Sequence, residues 1–508
     1  LAGADAPYDV AAAEQTLSFG YTSIVERHLQ RVTAATIAVE GMRGLAAIDP
    51  EVSVTRLGDR ILLSASDRVV AEYPVPAEDD IHAWARLTVT AALEARQVSP
   101  AVHNADIEQV YQAVFEAALG KLDMFSRYAG AHEARDHRAS RNGFGGIGIK
   151  FDMIDGSPKV IEVMDDTPAS RAGLRVGDII DQIEGKPIAG LERSDISNRL
   201  RGPVASDVAM TVRRSGGLET VSLRRALIVP PTVTLTMKDG LAEFKITSFN
   251  QRTSRSLETQ LKDTRAKMGA ELKGVVLDLR GNPGGLLDQA VAMVDLFVAE
   301  GPILNTKGRH PSSSQSFEAR PGDIGEDLPV VVLVDGKSAS AAEIVASSLQ
   351  DAGRAVVVGT NSYGKGTVQT VIRLPNDGEM TLTWSRFHTP TGYALHGLGV
   401  LPTLCTADDK ATLDGVMDGM TRASQPAAIS EELSKWRHAG LEDVSLRKQL
   451  RETCPSTKHA DARIDVDLAE RLLADRTLYS RALAQSAPSQ PTETVQAPHA
   501  FNLQQVQH

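Results

Sequence analysis

Pro329-Val-Val-Val-Leu-Val334-Asp-Gly-Lys-Ser-Ala-Ser340-Ala-Ala-Glu-Ile-Val345 is the stretch from which the fold can be read. Its apolar run has no polar alternation, as expected of a strand covered on both faces. A turn of small residues follows Val334, and Ile344, Val345 and Leu349 support a helix that begins near Ser340. Two further runs, Gly274-Val-Val-Leu-Asp-Leu279 and Ala355–Val358, read as strands of the same kind. Between them Leu286, Ala290, Val291, Val294 and Val298 line one face of a helix that opens just after Pro283-Gly284-Gly285. Thr367 to Phe387 alternates as two more strands. The segment is therefore α/β in character.

A serine at a helix N-terminus lies beside unpaired backbone N–H groups and the positive end of the helix dipole. Such donors can hold an anion that develops on a substrate carbonyl. The same pattern suits a serine that only caps the helix, and Ser338 competes with Ser340 for either part. A nucleophilic hydroxyl needs a base. Lys365, in Asn361-Ser-Tyr-Gly-Lys365-Gly-Thr-Val-Gln369, lies between two glycines that leave room for close approach. An ordinary lysine, with a pKa of about 10.4, cannot accept a proton at neutral pH. Burial lowers that value and makes the amine a base. Gln369 shares a face with Lys365 if the stretch is a strand, and an amide orients the amine without stabilising its charged form. A surface lysine in a glycine-rich turn is the plainer alternative.

With these residues in place, the chain resembles the carboxy-terminal processing (tail-specific) serine peptidases. The matching phrases are Ser-Ala-Ser340-Ala-Ala-Glu, Gly-Lys365-Gly-Thr-Val-Gln369, Leu277-Asp-Leu-Arg280-Gly-Asn-Pro-Gly-Gly285, Phe387-His-Thr-Pro-Thr-Gly392 and Gly397-Leu-Gly-Val-Leu-Pro402. Leu122-Asp123-Met-Phe-Ser126-Arg-Tyr128 resembles the family phrase that precedes its PDZ module, with Met124 in place of the usual proline. The resemblance implies that Ser340 is the nucleophile, Lys365 the general base and Gln369 the residue that orients it. It also implies an oxyanion site built from the Gly284-Gly285 turn and the Ala341 amide, without choosing between the glycines. The fold implied is multidomain α/β: a crotonase/ClpP-like peptidase core with an inserted, β-rich PDZ domain. In that domain Gly146, Ile147, Gly148 and Ile149 would capture a substrate's C-terminus opposite Ile196 and Leu200.

The expected organisation is a mainly helical region with a small β insert over 1–140 and a PDZ domain over 141–226. The peptidase core follows over 227–403, then a helical C-terminal extension over 404–484 and a disordered tail over 485–508. The expected function is a serine endopeptidase that recognises C-terminal tails and works through an acyl-enzyme. The alternatives are a catalytically silent PDZ scaffold and a crotonase-like acyl-CoA enzyme.

Composition bounds the partners. The 508 residues are 42% hydrophobic and 23% charged, ordinary for globular domains. A formal charge of −11 and 4% aromatic residues argue against nucleic acid. No apolar run approaches the ~20 residues of a membrane span. His132 and His137 miss the spacing of a helical zinc pair, and no metal or cofactor is expected. His388 and His396 follow Ser340, which leaves a Ser–His arrangement conceivable. The expected partners are protein substrates with free C-termini; an adaptor and a homo-oligomer are compatible. The chain starts at Leu1 rather than Met, so its true start, with any signal peptide, is expected to have been removed or omitted; localisation comes from the resemblance, which implies a periplasmic or otherwise exported enzyme. Cys405 and Cys454 suit either one bridge or two buried thiols.

Overall fold

The computed structural model describes residues 9–326, 328–408, 410–421, 426–458 and 462–486. It divides into two units. Of the described residues, one comprises those within 9–135, 233–249 and 253–486; the other comprises 136–232 with 250–252.

The larger unit is organised on a six-stranded sheet. Its order is Val233–Lys238, Leu241–Ile246, Gly274–Asp278, Val330–Val334, Ala355–Gly359 and Leu404–Cys405. The first pair is antiparallel and the rest run parallel, with Val275 beside Val330 and Val330 beside Ala355. Successive residues of each strand go to different cores. Val275, Leu277, Val330, Val332 and Val357 pack with residues of helices Thr253–Met268, Leu287–Asp295 and Ala341–Asp351. Val276, Val331, Leu333, Val356 and Val358 pack with helices Arg463–Ala474 and Arg476–Ser486. Each such burial contributes roughly 1.5–3 kcal/mol, so the apolar runs need both layers.

The C-terminal helices thus complete the core. Tyr479 Oη receives the Val330 N–H at 3.0 Å. Arg280 bridges Asp278 and Asp465, all three buried, which ties the Gly281–Gly285 loop to helix Arg463–Ala474. The last helix takes in Gln485 and Ser486, which composition had assigned to the tail. Both are buried, so the tail's expected start is corrected by two residues. The rest of that tail, 487–508, lies outside the described residues.

A second sheet orders Gln315–Glu318, Pro302–Gly308, Glu379–His388 and Thr367–Arg373, and Arg127–Ala129 joins it at Glu379–Thr381. The N-terminal helices Val10–Arg27, Ala34–Arg43, Ile81–Val98 and Ile107–Gly120 pack around Tyr21, Trp84 and Phe115. A three-stranded meander, Val52–Leu57, Arg60–Ala65 and Arg68–Pro74, lies between them in sequence. Ile372, Leu374, Met380 and Leu382 of the second sheet share this core.

The smaller unit has an antiparallel sheet ordered Gly217–Arg224, Asp207–Arg214, Ile179–Ile183, Ser157–Val163 and Ile149–Ile154. Ile196 and Leu200 of helix Arg193–Leu200 are buried with Ile147, Val160 and Ile183. Ile149–Ile154 is the last strand of that sheet, and Ile149 is half-buried.

Candidate active site

Strand Val330–Val334 ends at Asp335, whose carboxylate accepts the N–H groups of Gly281, Lys337 and Ser338. Ser338 is fully buried; its hydroxyl donates to the Leu279 carbonyl at 2.9 Å and receives the Asp335 N–H. Ser338 is therefore part of the turn, its hydroxyl already bonded within it. At Ser340 φ is 55° and ψ −115°, a conformation that non-glycine residues avoid. Such strain costs about 1–3 kcal/mol and is characteristic of functional positions. Helix Ala341–Asp351 begins at the next residue.

Glu343 is wholly buried and holds this turn to the lysine loop. Its Oε2 accepts the Ser340 N–H at 2.8 Å and the Lys365 N–H at 2.9 Å. Its Oε1 accepts the Gly364 N–H and the Ser362 hydroxyl. Burial raises the Glu343 carboxyl above its usual range despite these bonds.

Lys365 is partly buried, with Nζ 5.1 Å from the centroid of the Phe125 ring. Burial, and then the Arg127 guanidinium, lower its pKa against the opposing pull of Glu343 and Asp123. This is the direction a general base requires. Among the described residues no hydrogen bond joins Ser340 Oγ to Lys365 Nζ, or Gln369 to Lys365. Gln369 donates through Nε2 to Thr367 Oγ1 at 2.9 Å and to Thr383 Oγ1 at 3.3 Å. Thr383 in turn donates to Asp123. Burial would raise the Asp123 carboxyl, but bonds from His28, Ser126 and the Phe125 and Ser126 N–H groups hold it below the usual carboxylate range. The Asp123–Ser126 phrase thus braces Thr383 of strand Glu379–His388, the residue to which Gln369 donates, and places Phe125 against Lys365.

The close approach expected beside Lys365 is made by backbone of the chain itself. A Cβ on Gly366 would lie 2.2 Å from the His396 backbone nitrogen, and one on Gly364 would lie 3.0 Å from Arg451 Nη1. The glycines admit the 396–399 loop rather than a substrate. Arg451 donates to the carbonyls of Leu398 and Ser362, and Arg447 to those of Ala394 and His396. Both arginines belong to helix Val444–Thr453, and Cys454 just beyond it is bridged to Cys405.

Gly284 lies against Ser340: a Cβ there would approach Ser340 Cβ to 2.9 Å and the Ala341 nitrogen to 3.1 Å. With φ at 102° the position also favours glycine. The Gly284 N–H is given to Asn282 Oδ1 at 2.8 Å. Among the described residues no acceptor is bonded to the N–H of Gly285 or Ala341. Burial is the main cause that lowers both His388 and His396, and neither is hydrogen-bonded to Ser340 among the described residues. No group of three or more His, Cys, Asp or Glu among the described residues is placed to hold a metal ion.

In the smaller unit, Gly146 ends strand Phe144–Gly146, which pairs with Ala226–Ile228. Gly148 follows with φ at 86°, and Ile149 pairs with Val163 on one side. Ile147, Ile196 and Leu200 are buried in that unit's own core.

Sequence analysis named Ser340, Lys365, Gln369 and the Gly284-Gly285 turn. It did not single out Glu343, Phe125, Asp123, Thr383 or Arg451. The acid at the third helical position was the available signal for Glu343, because it marks a capping-box pattern.

Residues 240–405 match the model of peptidase family S41, and residues 159–214 match that of a PDZ domain. The latter match begins beyond the Gly146–Ile149 loop. A carboxy-terminal-processing protease of Bartonella bacilliformis is 36% identical over 348 residues, 68% of this chain and 80% of that protein. The carboxy-terminal processing protease CtpA of Bacillus subtilis is 33% identical over 303 residues, 58% of this chain and 64% of that protein. Among solved structures, a photosystem II D1 C-terminal processing protease aligns over 81% of this chain and 98% of its own, at 21% identity and a TM-score of 0.39.

Proposed function

This chain belongs to peptidase family S41, and we propose that it cuts proteins with a Ser340–Lys365 dyad after its PDZ domain has captured their C-terminal tails. It is a serine peptidase of the carboxy-terminal-processing type with a PDZ domain. Membership in a peptidase family sets aside the acyl-CoA alternative. The observation that carries the dyad is the shared Glu343 oxygen, which binds the nucleophile's turn and the lysine's loop to one point.

The chemistry follows in balanced steps. Neutral Lys365 Nζ takes the Ser340 hydroxyl proton as Oγ bonds to the scissile carbonyl carbon. The negative carbonyl oxygen is received by the N–H groups of Ala341 and Gly285, since that of Gly284 is held by Asn282. The lysine ammonium returns its proton to the leaving amine as the C–N bond breaks. Water then attacks the ester and gives a proton to Lys365, which passes it to Ser340 Oγ as the ester C–O bond breaks; the released acid loses its remaining proton to solvent, and hydroxyl and neutral amine are restored. Turnover requires Lys365 Nζ to come within hydrogen-bond reach of Ser340 Oγ, with Gln369 steadying it.

Tail capture uses the Gly146–Ile149 loop for the terminal carboxylate and the edge of Ile149–Ile154 for strand addition. The Cys405–Cys454 bridge supports an exported, oxidising location. No described helix is long and apolar enough to cross a membrane. An adaptor and self-association remain compatible with this reading.

The test is digestion of an unstructured protein, intact or without its last residues, followed by mass spectrometry. The intact protein should be cut faster, and Ser340→Ala should cut neither. Equal rates for both substrates would remove the tail-capture step, and activity in Ser340→Ala would remove the nucleophile.

A further inference from the structure

Strand Glu379–His388 carries a row of polar groups that the chain leaves unused. Arg386 and His388 are spaced two apart, so their side chains share one face of the sheet, and Trp384, at a register shift just before them, stacks on His310. Trp384 Nε1, Arg386 Nε and His388 Nδ1 are buried and have no hydrogen-bond partner. Buried polar groups are normally paired, and donors that await a ligand are one reason for an exception. The cross-strand register extends the row: Lys307 lies opposite Arg386 on one side and Thr367 on the other. Thr367 is two residues from Lys365. His396, packed on Gly366, contributes another buried and unpartnered nitrogen, Nδ1.

The charge on this face is positive and unbalanced. Among the described residues neither Lys307 nor Arg386 forms an ion pair. After burial, Lys307 and Arg386 lower His388 further, and Arg386 lowers His396. Arg127 adds its charge beside Lys365. Asp123, the acid that acts on both Lys365 and His396, is already engaged by His28, Ser126 and Thr383. Cations whose Lys307 and Arg386 members have no carboxylate partner among the described residues, in a chain of net charge −11, suit an anion from elsewhere. The face is also open: Lys307 is exposed, and Trp384, Arg386 and His388 are only half-buried.

We propose that the face bearing Lys307, Trp384, Arg386 and His388 is a specificity subsite that binds a carboxylate of the peptide being cut. Arg386 and Lys307 hold the charge, and the Trp384 indole N–H donates alongside. At ~3.3 Å per extended residue, the short span from Lys365 places this carboxylate within about three residues of the cut bond. It belongs either to an acidic side chain or to the free terminus of a short tail. The inference rests on the Ser340–Lys365 reading and adds the chemistry that the same site selects.

The test compares kcat/KM for one peptide carrying Asp, Asn or Lys at each position flanking the cut, with free-acid and amidated ends. The wild-type enzyme should prefer Asp over Asn at one position by about tenfold or more, as befits a charge-assisted hydrogen bond. Lys307→Gln should reduce the ratio, and Lys307→Glu should abolish or reverse it. Because the readout is a ratio within one enzyme, a general loss of activity does not affect it. Arg386→Gln serves as the second variant. A preference kept in amidated peptides assigns the side chain; one confined to free acids assigns the terminus. Equal rates for Asp, Asn and Lys peptides, or a ratio unmoved by both Lys307→Glu and Arg386→Gln, would overturn the subsite. Cleavage without charge preference that still depends on Ser340 would leave the dyad standing, whereas no cleavage by the wild type would overturn both.

Discussion

Ser340 and Lys365 donate their backbone N–H groups to the same oxygen of Glu343, at 2.8 and 2.9 Å. A strained turn and a glycine-flanked loop are thereby fixed to one buried carboxylate, whatever the positions of the Ser340 hydroxyl and the Lys365 amine. The backbone of the site is organised before those two groups meet.

Replacing Glu343 by Gln keeps the volume but puts an amide NH2 against N–H or O–H donors. Leaving buried donors unpaired costs about 1–3 kcal/mol. Glu343→Gln should therefore unfold at a lower temperature and lose at least about tenfold in kcat. Because the Glu343 charge raises the Lys365 pKa, its removal should move the rising limb of the pH–rate profile to lower pH. A purely structural defect would leave that limb in place. Thermal unfolding and a pH profile of kcat check both halves.

In the proposed dyad the Lys365 amine works only when neutral, so activity should rise with pH through a value below that of an ordinary lysine. Burial is the leading cause. Phe125→Ala admits water beside Nζ and should shift the limb to higher pH. Arg127→Gln removes a nearby cation and should shift it the same way, by less at high salt because Arg127 is exposed. Profiles of kcat/KM at two salt concentrations measure both shifts.

The Cys405–Cys454 bridge closes a span of 49 residues. The chain-entropy model assigns a loop of that size about 4 kcal/mol. The bridge anchors helix Val444–Thr453, whose Arg447 and Arg451 hold the carbonyls around the lysine loop. Cys405→Ser with Cys454→Ser should lower the melting temperature and reduce kcat more than it changes KM. Calorimetry beside steady-state kinetics checks this, with Arg451→Ala expected to reproduce the loss of kcat with the bridge intact.

What the sequence made legible was local. The runs Val330–Val334 and Gly274–Asp278 read as doubly covered strands because every residue in them is apolar or nearly so. Ser340 and Lys365 stood out because small residues and glycines bracket them. The unread parts depend on distance along the chain. Glu343 looked like an ordinary capping acid, since its bonds to Ser362, Gly364 and Lys365 cross from helix to loop. Leu468, Leu472 and Leu473 showed an amphipathic helix, but not that it covers Val331 and Val356. The glycines beside Lys365 signalled a close approach, but not that the 396–399 loop makes it. That the Gly284 N–H is taken by the Asn282 side chain, and that the two cysteines pair, required the folded chain.

The central claim is that Ser340 attacks and Lys365 activates it. Intact-mass and peptide-mapping spectrometry after treatment with a serine-directed fluorophosphonate tests this most directly. One adduct should form on Ser340, faster as pH rises, absent in Ser340→Ala and strongly slowed in Lys365→Ala. An adduct on another serine, or labelling as fast in Lys365→Ala as in the wild type, would contradict the account.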